Sequence, residues 1–364
     1  MTSSPLPIVA VEDDPFLRLV QVVLDPRTPA ARTAAFTHFV AHEAPDFTGW
    51  CEALRHRLRR ISPAQVRLVE DDAALPAALS GALAAVVESL RVGEREIAAA
   101  GGSLRAVQKY GTVLTNIDAG ACARAGIPLL TLRRRANISC AEHVLALMLA
   151  LARKIHESAG LVSTDQLQAA GYSPTRYDRA HTPNANWARV TGARNLYGAQ
   201  LGIFGLGEIG RELALRAVAF GMRIVYSQRR RLAAGDEERY GARYVGLEEL
   251  LATSEFLSVL LPSNDATRGI VGRRELALLK PGAILVNTSR PELVERAALL
   301  DALRSGRLGG FGLDPHYDAP GEADDPLLAF RNVIVTPHLA GAPRWNALND
   351  IEEMLLNLDE AVRN

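Results

Sequence analysis

Short runs of apolar and β-branched residues alternate with segments of helical period along the first part of the chain. Three such runs are PIVAVE from Pro7, VRLVE from Val66 and AAVVESL from Ala84. The segment 30–61, between the first and second runs, has the spacing of apolar residues that is typical of helices. Strands that alternate with helices predict an α/β fold with a parallel sheet.

From Gln200 onward the same alternation becomes more regular. The apolar runs are QLGIFG, MRIVYS, ARYVG, FLSVLLP, AILVNTS, GGFGLD and NVIVTPH, and helical segments such as ERAALLDALRSG lie between them. This pattern predicts a doubly wound domain with a buried parallel sheet. A long helix is predicted over Ser139–Gly160, with Ser139 as its N-cap, and an amphipathic helix over 343–363. The polar segment Tyr172–Trp187 is predicted to be a long loop, and loops of this length are often functional lids.

Composition narrows the class of protein. The 364 residues suggest two domains, and 41 basic residues balance 41 acidic ones, so no global field favours nucleic acid or an anionic membrane. The three cysteines lie far apart, which indicates reduced thiols and no metal site. No signal peptide is visible at the N-terminus, and the longest apolar run, from Val144, is about half of the ~20 residues that a membrane span needs. We therefore expect a cytoplasmic protein without nucleic-acid or membrane partners.

One glycine motif carries specific chemistry. GIFGLGEIGRELA places Gly205, Gly207 and Gly210 in G-x-G-x-x-G spacing, after a predicted strand and before a predicted helix. In this context Gly205 permits a tight turn, Gly207 lets the backbone approach a pyrophosphate, and Gly210 lets the helix pack on the strand. The helix N-terminus favours the anion. The motif predicts a dinucleotide site, with a glycine-rich turn that binds no ligand as the alternative.

The end of the next strand indicates which dinucleotide is bound. About 20 residues after the glycines, an acid usually binds the adenosine ribose of NAD. Here Gln228 stands at that position and Arg229, Arg230 and Arg231 follow it. A neutral side chain removes repulsion toward a 2′-phosphate, and a guanidinium can grip that phosphate with two hydrogen bonds. We expect NADP(H) to be preferred, with Arg229 first and Arg230 second as phosphate ligands. The alternative is a solvated arginine loop beside a site that still accepts NAD(H).

Several fragments together resemble the D-isomer-specific 2-hydroxyacid dehydrogenases, which include glyoxylate/hydroxypyruvate reductases and phosphoglycerate dehydrogenases. The fragments are NIDAGACARAGIP, NISCAEHVLALMLALAR, LGIFGLGEIGRELALRAVAFGM, LLPSNDATRGIV, LKPGAILVNTSR, ALLDALRSGRLGGFGLD and VIVTPHLAG. The resemblance implies two Rossmann-like α/β domains with parallel sheets. The dinucleotide domain, 137–338, would be inserted into a flavodoxin-like substrate domain made of 1–136 and 339–364. It also implies a homodimer.

The resemblance also implies the site residues. Arg290, in VNTSRP, matches the arginine that binds and polarises the substrate, and His338, in VTPHLAG, matches the acid/base histidine. Such a pair suits reduction of a 2-oxo acid, because a cation stabilises the growing oxyanion and an imidazole supplies the proton. Asp314 matches the aspartate that contacts the nicotinamide amide. The other expected dinucleotide contacts are Glu208, Ile209, Pro262, Thr267, Thr288 and Ser289.

Three positions depart from the pattern of this family. Relatives carry a glutamate that pairs with the histidine, whereas LDPHYDAPG places Ala319 there and leaves Asp318 as a possible substitute. Without a carboxylate the imidazole would hold its proton less firmly, which moves activity to lower pH. In the loop that holds the substrate carboxylate, Gly111 is kept and Thr112 follows, but Val113 replaces a second glycine. Pro291 replaces the glycine that usually follows the arginine.

Two further segments leave alternatives open. The run Arg133 to Arg135, at the expected hinge, could accept a second anionic group of the substrate, or could form salt bridges across the two domains. The long loop, which contains Arg176, Tyr177 and His181, could cover the cleft.

The sequence as a whole predicts an oxidoreductase that transfers a hydride between NADP(H) and a 2-oxo or 2-hydroxy acid. The alternatives are an NAD-linked dehydrogenase of another small anion and a dinucleotide-sensing protein of weak activity.

Overall fold

The computed structural model describes residues 5–318 and 320–363. The chain forms two compact units, one of residues 1–137 with 341–364 and one of residues 138–340. The domain boundaries predicted from the sequence, at residues 137 and 339, lie close to these two positions where the chain passes from one unit to the other. Each unit contains one parallel sheet with helices beside it.

The first unit has a five-stranded parallel sheet of order β2-β1-β3-β4-β5. Its strands and helices up to the crossing are β1 (Ile8–Glu12), α1 (Arg18–Leu24), α2 (Ala30–Val40), α3 (Phe47–Arg57), β2 (Gln65–Val69), α4 (Leu75–Leu79), β3 (Ala84–Val87), α5 (Glu94–Ala99), β4 (Ala106–Lys109), α6 (Ala119–Arg124) and β5 (Leu129–Leu130). This strand order is the flavodoxin-like one.

The second unit has a seven-stranded parallel sheet. Its helices and strands are α7 (Arg135–Ala152), α8 (Ile155–Ser158), α9 (Thr164–Ala169), β6 (Gln200–Phe204), α10 (Glu208–Ala219), β7 (Arg223–Ser227), α11 (Ala234–Tyr240), β8 (Ala242–Tyr244), α12 (Leu247–Thr253), β9 (Phe256–Val259), α13 (Arg273–Leu278), β10 (Ala283–Asn287), α14 (Arg296–Arg304), β11 (Leu308–Leu313) and β12 (Val333–Val335). Short 3₁₀ turns occupy Pro291–Leu293 and Pro326–Ala329. The strand order β12-β11-β10-β9-β6-β7-β8 is doubly wound, and it reverses direction between β6 and β9. The predicted fold class is confirmed.

The chain then returns to the first unit through α15 (Trp345–Ala361). The helix buries Leu348, Ile351 and Met354 in the core that also contains Val9 and Phe47. This burial follows from the predicted amphipathic pattern, because the apolar residues share one face of the helix.

A buried carboxylate on α15 also sets the start of α7. Asp350 is fully buried and accepts the backbone N–H of Arg135 at 2.9 and 3.0 Å, and it pairs with the guanidinium of Arg135 at 3.0 Å. The helix therefore begins at Arg135, and the prediction that Ser139 is the N-cap is wrong. It ends at Ala152, and Gly160, with a φ of +80°, follows the short helix α8 instead.

By length and hydropathy alone, α7 is the one helix in the described part of the chain that could cross a membrane. Its apolar residues, however, form part of the core of the second unit, where Val144, Leu147 and Met148 are buried in the same cluster as Leu201 and Ile203 of β6. The composition of α7 is thus accounted for by burial within the fold.

Candidate active site

The carboxyl ends of the parallel strands in the second unit bring most of the predicted site residues to one edge of the sheet. The glycine motif follows β6, the arginine segment follows β7, Arg290 follows β10, Asp314 follows β11 and His338 follows β12. In open α/β sheets this edge binds ligands, at the point where the strand order reverses. That point lies between β6 and β9.

The glycine motif forms a cradle at this point. Gly205 has a φ of +100°, and a Cβ there would lie 2.5 Å from the carbonyl oxygen of Leu260. A Cβ on Gly210 would lie 2.6 Å from the carbonyl oxygen of Gly205. Gly207, by contrast, is exposed and precedes α10 as its N-cap, and a Cβ there would have no atom within 4 Å. Two glycines are thus required by packing and the third leaves open space at a helix N-terminus, which fits a pyrophosphate.

The side-chain amide of Gln228 connects this cradle to the arginine segment through two hydrogen bonds. Its amide oxygen accepts the backbone N–H of Leu206 at 2.9 Å, and its amide nitrogen donates to the carbonyl of Arg230 at 2.6 Å. The sequence predicted Gln228 as the residue beside the ribose. In the structure both ends of the amide are engaged by backbone groups, so Gln228 holds the glycine loop against the arginine segment.

The three arginines after β7 differ in their contacts. Arg231 forms two hydrogen bonds with Glu237, at 2.7 and 2.9 Å, and Glu237 also accepts from the hydroxyl of Tyr226. These donors lower the pKa of Glu237 to about 2, so this ion pair persists at any ordinary pH. The side chains of Arg229 and Arg230 are exposed and have no partner within residues 5–318 and 320–363. Two guanidiniums are therefore available to an anion beside the end of β7.

Arg290 lies beyond β10 with its guanidinium exposed. The guanidinium donates to the carbonyl of Ser289 at 2.8 Å and forms no ion pair in the part of the chain that the structure describes. Ser289 is fixed by Asn287 and by the carbonyl of Val259, whereas the hydroxyl of Thr288 is buried without a hydrogen bond. Pro291 departs from the family pattern without disturbing the backbone, because it opens a 3₁₀ turn where its fixed φ suits the first position.

Asp314, at the end of β11, organises the loop that carries His338. Its carboxylate is fully buried and accepts from the hydroxyl of Thr336 at 2.7 Å and from the N–H groups of Leu339 and Ala340, each at 2.9 Å. Its backbone carbonyl accepts the N–H of His338 at 3.0 Å. The sequence predicts that Asp314 contacts the nicotinamide amide, and in this structure its carboxylate is fully buried and both oxygens accept hydrogen bonds from the segment 336–340.

His338 itself is exposed and has a φ of +55°. For a residue with a side chain, this left-handed conformation costs about 1–2 kcal/mol, so the surrounding hydrogen bonds must hold it. The strand order places β11 between β10 and β12, so Arg290 and His338 follow strands two spacings apart, about 10 Å. A guanidinium and an imidazole thus follow the strands on either side of β11.

Comparison with known proteins identifies the family. Residues 145–340 match the model of the D-isomer specific 2-hydroxyacid dehydrogenase, NAD binding domain. Glyoxylate reductase of Aeropyrum pernix is 37% identical over 247 residues, 67% of this chain and 69% of that protein. The chain belongs to the D-isomer specific 2-hydroxyacid dehydrogenases.

Other relatives agree with this membership. Glyoxylate/hydroxypyruvate reductase B of Yersinia pestis is 34% identical over 248 residues, 68% of this chain and 71% of that protein. The crystal structure of a glyoxylate reductase from Paecilomyes thermophila superposes with a TM-score of 0.55 at 25% identity, over 99% of this chain and 97% of that one. The protein is accordingly an NAD(P)-dependent oxidoreductase of 2-hydroxy acids.

The dehydrogenase lacks a carboxylate partner for its histidine in the described residues. Asp318 is exposed and lies 3.5 Å from Arg296, which also pairs with Asp325 at 2.9 Å. In this structure Asp318, which the sequence offers as a substitute for the family glutamate, thus contacts Arg296. Ala319, at the position of the glutamate itself, lies outside the described residues. Within residues 5–318 and 320–363 the imidazole of His338 has no hydrogen-bond partner.

The predicted substrate loop of the dehydrogenase belongs to the first unit. Gly111 is buried with a φ of +152°, and its carbonyl accepts the N–H of Leu132, whereas Thr112 is exposed and Val113 is half-buried. The conformation of Gly111 explains why this glycine is kept. Replacement of the second glycine by Val113 leaves the loop ordered but adds an apolar side chain to it.

The arginine run at the crossing forms salt bridges within the first unit. Arg134 pairs with Glu88 at 3.1 Å and lies 4.1 Å from the ring centre of Tyr110, while Arg135 pairs with Asp350 and Glu353. Burial raises the pKa of Glu88, and Arg134 opposes that effect. Arg134 and Arg135 thus form salt bridges, as the second interpretation of the run expects, but with residues of the first unit.

The remaining predicted residues are placed as follows. Glu208 and Ile209 lie half-buried in the first turn of α10. Pro262 and Thr267 belong to one turn, in which the hydroxyl of Thr267 donates to the carbonyl of Pro262 at 2.7 Å. The segment around Tyr177 and His181 is a loop, as predicted, and it lines an open hollow of its own. No metal cluster occurs in the described part of the chain.

Two residues of the site, His143 and Thr336, were missed by the sequence reasoning. The Nε2 of His143, on α7, lies 3.0 Å from the hydroxyl of Thr336 and 3.5 Å from the carboxylate of Asp314. Burial lowers the pKa of His143, and the nearby Asp314 only partly compensates. The position of His143 in an apolar helix gave no signal, since a histidine in such a pattern is usually a packing residue.

Proposed function

We propose that this dehydrogenase reduces small 2-oxo acids of the glyoxylate or hydroxypyruvate kind and prefers NADPH as the reductant. One observation carries the proposal: a guanidinium and an imidazole without acidic partners in the described residues follow β10 and β12, on the sheet edge that also carries the glycine cradle. The names of the relatives support the substrate class.

The residues suit the chemistry of carbonyl reduction. The dinucleotide, when bound, supplies the hydride. Arg290 can bind the substrate carboxylate with a planar pair of donors and stabilise the negative charge that develops on the carbonyl oxygen. His338 can donate the proton that this oxygen requires. Arg290 forms no salt bridge in the described residues, and Glu292, whose pKa is lowered by the hydroxyl of Ser263 and in part by Arg290, is an acidic side chain in its vicinity.

The preference for NADPH is supported by the arginine segment. Arg229 and Arg230 have no partner among the described residues and follow the strand whose end normally carries the acid that binds the ribose, and Gln228 stands in place of that acid. Arg231 is excluded as a ligand because Glu237 already holds it. We assign the phosphate contact to Arg229 first and Arg230 second.

The test of cofactor preference uses Arg229→Ser and Arg230→Ser. Each should raise the KM for NADPH by roughly ten- to a hundredfold, because a hydrogen bond to a charged group is worth roughly 1.5–3 kcal/mol, and should leave the KM for NADH unchanged. Arg223→Ser is the matched control, since Arg223 is exposed at the other end of the same strand. Equal changes in the KM for NADPH and for NADH would show that these arginines do not bind the 2′-phosphate.

The test of the reaction follows absorbance at 340 nm with NADPH and NADH on glyoxylate, hydroxypyruvate and larger 2-oxo acids. Arg290→Ala should lower kcat/KM by roughly 10²–10³, as expected for loss of an oxyanion-stabilising group. His338→Ala should lower kcat, and both variants should still bind the cofactor. Turnover that survives both substitutions contradicts the assignment.

A second candidate function is a dinucleotide-sensing protein with little turnover. The imidazole of His338, which has no partner in the described residues, favours it, because a carboxylate normally supports the acid/base histidine in this family. Tight binding of NADPH without turnover of any 2-oxo acid would select this alternative.

A further inference from the structure

We propose that His143 is a positioning residue for His338, which it holds in its left-handed conformation through Thr336 and Asp314. The kinetic part of this inference rests on the proposed function. The structural part rests on the hydrogen bonds alone.

Three consecutive amides converge on one residue. The N–H of His338 donates to the backbone carbonyl of Asp314 at 3.0 Å, that of Leu339 to one carboxylate oxygen, and that of Ala340 to the other, each at 2.9 Å. The carboxylate is fully buried, so water does not compete for these bonds. The position of His338 therefore depends on where the carboxylate of Asp314 points.

Thr336 and His143 fix that direction. The hydroxyl of Thr336 donates to the same carboxylate oxygen of Asp314 that receives Leu339, at 2.7 Å. With its proton committed, the hydroxyl oxygen of Thr336 accepts from the Nε2–H of His143 at 3.0 Å. His143 is mostly buried, at 15% exposure of its side chain, and lies on α7, which packs in the core of this unit. The chain of bonds thus anchors the segment after β12 to a helix of the core.

His316 contacts Thr336 through the backbone rather than the side chain. Its Nε2 lies 3.0 Å from the backbone carbonyl of Thr336, which also accepts the N–H of His338 at 2.8 Å. Thr336 is therefore bound through its side chain by His143 and through its backbone by His316. Only the side-chain contact reaches the carboxylate of Asp314, so a change at His143 should be transmitted to the amides of Leu339 and Ala340, and through them to the adjacent His338.

The experiment compares two pairs of variants in the full chain. His143→Leu and Thr336→Val remove the donor and the hydroxyl, whereas His143→Gln and Thr336→Ser retain them, since the amide nitrogen of glutamine can occupy the place of Nε2. His56→Leu, at an exposed position of the first unit, controls for loss of a histidine.

The first readout is hydrogen exchange at the amides of His338, Leu339 and Ala340. We expect exchange about tenfold faster in His143→Leu and Thr336→Val, because one buried bond is lost, and near-wild-type exchange in the conservative pair and the control. Unchanged exchange in both disruptive variants overturns the inference, whatever the enzyme does. General acceleration over the sheet would mean a structural role only and would also overturn it.

The second readout is kinetic. His143→Leu and Thr336→Val should each lower kcat by roughly 10- to 100-fold with little change in the KM for the cofactor, as expected when an acid is displaced by about 1 Å. His143→Gln and Thr336→Ser should retain most of the wild-type kcat. If exchange responds but kcat does not, His143 positions the loop without serving His338, and the inference fails. If the wild-type protein reduces no 2-oxo acid, the proposed function fails, and hydrogen exchange still decides the structural part.

Discussion

The amide of Gln228 joins the backbone N–H of Leu206, in the glycine cradle, to the carbonyl of Arg230, in the arginine segment. One side chain therefore links the glycine cradle to the segment in which we propose the contact with a 2′-phosphate. Under that proposal, discrimination between the two cofactors and general affinity for them depend on different residues.

This separation predicts the behaviour of Gln228→Met. The nearly isosteric methionine cannot form the two hydrogen bonds of the Gln228 amide, so the glycine loop becomes less well fixed, whichever cofactor binds. We expect the KM values for NADPH and NADH to rise together, by about three- to tenfold, with their ratio unchanged. Steady-state kinetics with both cofactors measure this. A selective loss of NADPH would instead place Gln228 in direct contact with the phosphate.

Gly207 and Gly210 predict opposite results for the same substitution. Gly207→Ala adds a methyl group to open space at an ordinary φ of −79°, so the free energy of unfolding should change little while cofactor affinity falls at least tenfold. Gly210→Ala places a methyl group 2.6 Å from a carbonyl oxygen and should destabilise the unit by about 1–3 kcal/mol. Thermal unfolding and cofactor titration on both variants separate the two effects. If Gly207→Ala binds the cofactor normally, the cradle does not hold the pyrophosphate.

The lowered pKa of His143 predicts that the free energy of unfolding depends on pH. Burial lowers its pKa below the ordinary value of 6.5, so the unfolded state binds a proton more readily than the folded state does. The stability that the neutral imidazole provides is fully present above pH 6.5 and is lost as the pH falls from there to the lower, folded-state pKa. The wild type should lose at most about 1.4 kcal/mol per pH unit from this group, and His143→Gln should lack that contribution.

Urea unfolding of both proteins between pH 7.5 and 5 measures the difference. Subtraction of the two curves removes the contribution of the other histidines. Parallel curves over the whole range would show that His143 titrates as it does in the unfolded chain.

Ala319→Glu tests the missing partner of His338. Reduction requires a protonated imidazole as the acid, so the rate should fall at high pH. A carboxylate in the family position would stabilise the imidazolium and should move this alkaline limb to higher pH by about one unit. The pH profile of kcat/KM measures the shift, and Ala319→Gln is the uncharged control. An identical shift in both variants would rule out the electrostatic explanation.

The alternation of apolar runs predicted both sheets, because buried parallel strands are apolar along their whole length. The glycine cradle was also predictable, since its spacing and its local strand–helix context lie within a few neighbouring residues. The start of α7 was not, because its cap, Asp350, lies 215 positions away in sequence. The contact of His143 with Thr336 could not be predicted either, because the two residues lie 193 positions apart in sequence. Local patterns specify elements and motifs, whereas hydrogen bonds between distant segments appear only in the fold.

The burial of α15 in the first unit has a consequence for synthesis on the ribosome. Leu348, Ile351 and Met354 complete a core whose other half, including Val9 and Phe47, emerges before the whole of residues 138–340. At roughly 5–20 residues per second, the nascent first unit waits about ten seconds or more with an open apolar face. The inserted unit is complete in sequence before α15 is synthesised, so it can finish folding before the core of the first unit is closed.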